Sequence, residues 1–289
     1  MTVNFKNAIA NAIDSIESQY NSRIFKYSCG YYDLDDIMQG FLKSQLTVFA
    51  GRPSMGKTSF ALNIACNFAL SGAKVLFISC EMNCDIIMQR IISSQAEVSL
   101  DKLLKGNMSE DDWEKVAKTV DELNNPRITE NLKIEPSFTD KFDKLSQLIT
   151  DFSSKNKDCI VIIDYFQLLN RQAQVQDRYV ELADLASSIK RLAVENNIHI
   201  ILLSQISRKV DERLDKTPQI SDLSECDALA QHADNILFIN RDEYWNKYDP
   251  DLKNKASIIV SKVKNSSPCT VDLLFFGSML KFKNKMIPM

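Results

Sequence analysis

The sequence predicts an α/β fold with a mostly parallel central sheet flanked by helices, on three observations. First, short apolar runs recur along the chain: LTVFA (46–50), VLFIS (75–79), LKIE (132–135), CIVIID (159–164), HIILLS (199–204), NILFIN (235–240) and ASIIVS (256–261). Runs that are apolar at nearly every position, without alternation, are the pattern of strands buried on both faces of a parallel sheet. Second, the segments between them have helical periodicity. RYVELADLASSIKRLAVENN brings Leu182, Leu185, Ala186, Ile189, Leu192 and Ala193 onto one face. Third, 289 residues with 45% hydrophobic and 25% charged side chains give room for one large α/β domain and a small appendage.

The elements follow in chain order. Residues 5–20, FKNAIANAIDSIESQY, set Phe5, Ile9, Ala12, Ile13 and Ile16 at the spacing of a short amphipathic helix, and the polar NSRIFKYS connects it onward. Residues 1–28 thus form a helix-and-connector unit ahead of a domain at 29–289. The apolar stripe of that helix must be buried on its own domain or on a neighbouring copy. The helix expected after residue 56 ends at Gly72. SEDDWEKVAKTVDEL reads as a helix capped by Ser109, with Asp112 completing a capping box only loosely and Trp113 as a packing residue. TVDLLFFGSMLKFKNK predicts a hairpin turned at Gly277 and Ser278 that adds antiparallel strands at one sheet edge.

Bulk properties exclude several classes. A formal charge of -3 and a pI near 5.6 supply no global basic field, so contact with nucleic acid would require a local patch or a lined channel. The seven cysteines form no C-x-x-C pair and several sit in apolar runs, as expected of reduced, mostly buried cytosolic thiols. His199 and His232 have no partners at metal-ligand spacing and are expected to be structural. The N-terminus lacks an apolar leader core, and no run approaches the ~18 apolar residues of a spanning helix. The expectation is a cytoplasmic protein outside the membrane.

The chemistry concentrates in GRPSMGKTSF. Gly51 to Thr58 fit G-x-x-x-x-G-K-T, with a strand before and a helix after. In such a loop Gly51, Arg52, Pro53, Ser54, Met55, Gly56, Lys57, Thr58 and Ser59 curl around phosphate groups. The backbone N–H groups and the helix N-terminus supply positive character, Lys57 reaches the β- and γ-phosphates, and Thr58 offers its hydroxyl to magnesium. A glycine turn that binds nothing would not need the lysine, the threonine and the helix together. In an open parallel sheet ligands lie beyond the carboxyl ends of the strands. Asp164 ends one run and suits a water-mediated magnesium contact, Glu81 ends another as a general base, and Ser204 and Gln205 end a third. A lone strand-end acid is as easily a solvated loop residue; three polar strand ends on one edge with a complete phosphate loop are not. Arg241, at the end of a further run, is placed to reach the base or ribose.

The order GYYDLDDIMQGF, GRPSMGKTSFALNIA, FISCEM, IIDYFQLL, LLSQISR, SDLSE, ADNILFINRDE and IIVSKVKNS resembles the motor domain of the DnaB-type replicative DNA helicases from about residue 29 to the end. The resemblance implies a RecA-like P-loop NTPase assembled as a ring of six, with ATP and Mg2+ between neighbours and single-stranded DNA in the central channel. It implies that Lys57 and Thr58 bind nucleotide and metal, that Glu81 is the catalytic glutamate and Asp164 the second metal-site acid, and that Gln205 couples the γ-phosphate to a DNA loop. Arg90 matches a family arginine near the nucleotide, although a helix-surface salt bridge would explain it equally. The N-terminal helix matches the family's linker helix, which docks on the adjacent subunit.

Two departures qualify this. Where the family carries a trans-acting K-x-R pair, this chain has Lys262, Val263 and Lys264. Lysine brings charge without the planar fork of arginine, so trans activation is expected to be weaker or differently shaped. The family's D-L-R-E-S-G channel run is here Asp222, Leu223, Ser224, Glu225, Cys226 and Asp227. Losing a cation and gaining a carboxylate weakens phosphate contact. Arg208 and Lys209, with Glu225, remain the expected DNA-loop residues, and Arg213 and Lys216 either add compensating charge or form a solvated loop. The family's collar domain, which receives primase, has no room before Cys29, so the chain is a fragment or a short relative, with no primase contact expected from these residues. A motor therefore stands beside two alternatives: a degenerate RecA-like ATP-binding protein that recruits or regulates partners without unwinding, and, less closely matched, a strand-exchange recombinase.

Overall fold

The computed structural model describes residues 9–10, 13, 27–138, 141–169, 178–223, 227–264 and 266–285. Helix α1 (Tyr32–Met38) leads into β1 (Gln45–Gly51), α2 (Lys57–Leu70), β2 (Val75–Ser79), α3 (Cys84–Ala96), α4 (Leu100–Lys105), α5 (Glu110–Leu123), α6 (Pro126–Thr129) and β3 (Leu132–Glu135). Then come α7 (Phe142–Lys155), β4 (Ile160–Asp164), α8 (Arg178–Glu195), β5 (His199–Gln205), α9 (Asp227–His232), β6 (Asn235–Asn240), α10 (Asp242–Trp245), β7 (Lys255–Lys262), β8 (Cys269–Phe276) and β9 (Lys281–Asn284).

Among the described residues these strands form one sheet in the order β3-β2-β4-β5-β1-β6-β7-β8-β9. The strands from β3 to β6 run parallel. Their continuous apolar runs sort by period two. Phe49, Phe77, Ile162, Leu203 and Ile239 point into a core shared with α2 and the C-terminal hairpin. Val48, Leu76, Val161, Leu202 and Phe238 point into a second core under α7 and α8. Helix α2 is apolar almost all round because it is enclosed, with Phe60 and Phe68 fully buried.

Two of the expected strands depart from burial on both faces of a parallel sheet. The run at 256–261 lies in β7, antiparallel to both β6 and β8. Ala256, Ile258 and Val260 are buried while Ser257, Ile259 and Ser261 on the other face are only half-buried. The run 132–135 forms β3, parallel as expected, but among the described residues it pairs with β2 alone at the sheet edge and none of its residues is buried. The hairpin forms as expected, β8 to β9, through a tight turn at Gly277–Met279 with Leu280 in the left-handed region.

Of the expected N-terminal helix, Ile9, Ala10 and Ile13 are helical, with Ile9 and Ile13 46% and 49% exposed; its other residues and most of the connector lie outside the described residues. The capping box of α5 is complete, since Asp112 N–H donates to Ser109 Oγ and Ser109 N–H to Asp112 Oδ2. Trp113 is not the packing residue it was expected to be, at 57% exposed. The buried stripe of α5 runs through Asp112, Val116 and Thr119, which leaves Trp113 about 100° further round the helix. His199 spends one ring nitrogen on Thr47 Oγ1 at 2.9 Å and the other on the Leu42 carbonyl at 2.6 Å. Burial lowers its pKa to about 4, so it stays neutral and structural. Burial likewise pushes the Cys66 thiol up to about 12, whereas Cys84 is exposed. Among the described residues no helix is long and apolar enough to cross a membrane.

Candidate nucleotide site

The glycines of the phosphate loop sit where other residues do not fit. A Cβ on Gly51 would stand 3.0 Å from the Ile239 carbonyl oxygen across the sheet. Gly56 has φ +96°, and its Cβ would press at 3.2 Å on the rings of Phe275 and Phe282. The hairpin is thus packed directly beneath the loop, and Phe282 is also edge-on to Phe60 of α2 at 5.1 Å. Gly56 caps α2, so the free N–H groups of its first turn open at the carboxyl edge of the sheet.

Lys57 is buried and donates from Nζ to the carbonyls of Gly51 (2.8 Å) and Arg52 (3.0 Å). Burial lowers its pKa to about 8, with Asp164 and Glu81 acting in the opposite sense. Thr58 Oγ1 donates to Asp164 Oδ2 at 2.8 Å. Asp164 is raised to about 6, chiefly by burial and further by Glu81, against the Thr58 bond and the Lys57 charge. Glu81 follows β2 and is exposed towards the same opening.

These groups line one cavity of about 480 Å³ with Pro53, Ser54, Gly56, Ser59, Arg90, Gln205 and Arg241. Arg90 reaches it from α3 and makes no salt bridge among the described residues; its Nε is buried without a hydrogen-bond partner. The salt-bridge alternative for Arg90 therefore gives way to a cavity position. Gln205 is held through its backbone: its N–H donates to Gln167 Oε1 at 3.3 Å, and Gln167 Nε2 donates to its carbonyl at 3.2 Å. Arg241 donates from Nη1 to the Ser54 carbonyl at 3.2 Å, pairs with Glu243, and lies 4.5 Å over the Phe275 ring.

Not every expected residue converges. Met55 is buried in the core, and Arg52 turns away from the cavity to Asp211 and the Ile206 carbonyl. Lys262 pairs with Ile236 at the start of β6, the sheet edge opposite the phosphate loop, and donates to the Ala230 carbonyl. Lys264 meets Asp234 at 3.3 Å on that same far edge. Neither lysine can reach the cavity of its own chain. Arg208 and Lys209 are exposed in the turn after β5 and belong to no ion pair among the described residues. Arg213 offers no free charge because Asp222 holds it at 2.9 Å, and Lys216 donates to the Asp211 and Arg213 carbonyls. Glu225 lies outside the described residues, with Ser224 and Cys226. Tyr165, Phe275, Gly277 and Leu280 line the cavity without having been singled out. Tyr165 had a signal in following Asp164 directly. The hairpin residues had none, since only the strand order brings them there.

A buried lysine, a hydroxyl paired with a buried carboxylate and a second acid, all around a glycine loop at the carboxyl edge of a parallel sheet, define a RecA-like P-loop nucleotide-binding domain. Comparison with known proteins narrows this further. The family model of the DnaB-like helicase C terminal domain matches residues 27–284, and the chain belongs to that family. The replicative DNA helicase DnaB of Buchnera aphidicola subsp. Baizongia pistaciae (strain Bp) is 35% identical over 288 residues, covering 97% of this chain and 61% of the relative. The chain thus spans less than two thirds of that relative. The solved structure "ATPase Domain of G40P" superposes with a TM-score of 0.90 at 29% identity, covering 99% of this chain and all of the other. "The Structure Of A DnaB-Like Replicative Helicase And Its Interactions With Primase" superposes with a TM-score of 0.86 at 28% identity, over 99% of this chain and 68% of the other.

Proposed function

We propose that the chain is the ATP-hydrolysing motor of a DnaB-type replicative helicase, acting in the cytoplasm as a ring of six that moves along single-stranded DNA and unwinds duplex. The observation that carries this is the single cavity in which Lys57, Thr58, Asp164, Glu81, Arg90, Gln205 and Arg241 meet. The Thr58 hydroxyl and the adjacent Asp164 carboxylate are the oxygen donors that would hold Mg2+, whose charge offsets that of the nucleotide phosphates when bound. Lys57 exchanges the carbonyls of Gly51 and Arg52 for phosphate oxygens. Glu81 orients a water for in-line attack and accepts its proton. Arg241 and the Phe275 ring beside it face the nucleoside end, and Gln205 contacts the γ-phosphate at the root of the loop carrying Arg208 and Lys209. Lys262 and Lys264 serve the neighbouring subunit's cavity, and the N-terminal helix, with its exposed Ile9 and Ile13, docks on that neighbour. A primase contact is not assigned to these residues.

The test is ATP hydrolysis with and without single-stranded DNA across protein concentrations. Stimulation that rises cooperatively with concentration supports composite sites. A slow, DNA-indifferent rate, with no displacement of a forked duplex, would favour the ATP-binding recruiter, to which the changed channel run with Ser224 and Asp227 points.

Asp164 also sets an acid limit. Its carboxylate titrates at about 6 before any cation binds, so a cation competes with a proton below that pH and is unopposed above it. Mg-nucleotide affinity is expected to fall roughly tenfold from pH 7 to pH 5, with the dependence flattened in Asp164→Asn. Equilibrium titration with a fluorescent ATP analogue measures both.

A further inference from the structure

Arg52 belongs to the phosphate loop by sequence, yet its side chain leaves the cavity altogether. Its Nε and Nη2 donate to the two carboxylate oxygens of Asp211 at 2.9 and 2.8 Å, a bidentate pair, and Nη1 donates to the Ile206 carbonyl at 3.3 Å. The guanidinium is mostly buried, its side chain 11% exposed. It therefore fastens the turn after β5 at two points that flank Arg208 and Lys209, exposed cations with no ion pair among the described residues.

The other end of the same residue faces the phosphate machinery. Lys57 Nζ rests on the Arg52 carbonyl at 3.0 Å. A hydrogen-bonded path thus runs from the lysine that meets phosphate, through the Arg52 backbone and guanidinium, to Asp211 and the cation-bearing turn. When Lys57 moves to a phosphate it releases the Arg52 carbonyl, and the bidentate fork carries any displacement of residue 52 to the turn. A lysine at position 52 would not do so, because a point charge holds distance without fixing orientation. The second ion pair of the turn, Arg213 with Asp222, closes the turn on itself and touches nothing in the phosphate loop.

We propose that the Arg52–Asp211 pair is a latch that couples nucleotide occupancy to the DNA affinity of the turn bearing Arg208 and Lys209, with Asp211 a positioning residue that touches neither ligand. This rests on the motor reading above. Binding of a labelled oligothymidylate by the full chain is measured by anisotropy with and without a saturating non-hydrolysable ATP analogue and Mg2+. In the wild-type protein the analogue is expected to change oligonucleotide affinity roughly tenfold, within the usual range of coupling between sites. Asp211→Asn is expected to bring that ratio below about twofold, and Asp211→Glu, which keeps the fork, to retain most of it.

A merely structural Asp211 would weaken binding equally with and without the analogue and leave the ratio unchanged. A wild-type ratio near one, or a wild-type ratio retained in Asp211→Asn, overturns the latch and leaves the motor reading standing. Wild-type protein that binds neither the analogue nor the oligonucleotide overturns both.

Discussion

Glu81→Gln is expected to leave nucleotide binding close to wild type and to lower the hydrolysis rate by roughly 10² to 10⁴, the usual contribution of a positioned general base. Glu81 is exposed at the mouth of the cavity and holds none of its structure. It makes no ion pair among the described residues, and Lys57, Thr58 and Asp164 are held together without it. Glutamine keeps the shape but accepts no proton, so the loss falls on kcat. Removing the charge also relieves part of the upward push on Asp164 and part of the support for the Lys57 charge. These effects oppose each other at the cation and the phosphate, which is why affinity is expected to change little. Single-turnover hydrolysis and equilibrium binding of a fluorescent ATP analogue separate the two quantities. A variant that hydrolyses as fast as wild type would remove Glu81 from the chemistry and direct the search to Tyr165 and Gln205, which line the same cavity.

The phosphate loop and the acids at the strand ends were legible because both follow from local rules. A glycine loop between a strand and a helix has one productive geometry, and parallel strands deliver their C-terminal residues to one edge. What escaped the sequence depends on pairing between distant segments. The alternation of buried Ala256, Ile258 and Val260 with half-buried Ser257, Ile259 and Ser261 marks a strand covered more on one face, but six residues rich in isoleucine and valine mask it in the sequence. Phe275 and Leu280 reach the cavity because β8 and β9 follow β7 in the sheet and their rings and turn pack against the phosphate loop. Arg213 reads as free charge until Asp222, nine residues on, is found to neutralise it. Arg52 was legible as a loop residue and not as the partner of Asp211, since spacing within a motif says nothing of where a side chain turns. Trp113 shows the converse error. A large apolar residue on a helix suggests packing, but the stripe that packs is set by Asp112, Val116 and Thr119.

The position of Lys264 leads to the second large effect. It stands with Asp234 beyond the start of β6, while the cavity opens beyond the end of the same strand, so the body of the sheet separates the lysine from its own phosphate loop. Any part it takes in hydrolysis is therefore in a neighbour's site. Lys264→Ala is expected to lower the rate by roughly 10² to 10³, at or just below the lower end of arginine-finger contributions, because an ammonium supplies charge without the bidentate fork. Its pair with Asp234 is more than half exposed on the lysine side, and Lys190 also holds Asp234, so loss of Lys264 leaves the fold intact. Mixing provides the decisive measurement. In an equal mixture of Glu81→Gln and Lys264→Ala subunits, about a quarter of the interfaces in a randomly assembled ring join an intact Glu81 to a neighbour's intact Lys264. Basal hydrolysis, which does not require the sites to fire in turn, is expected to recover in the mixture well above either variant alone. If each cavity used its own lysine, every site in the mixture would carry one defect and no activity would return.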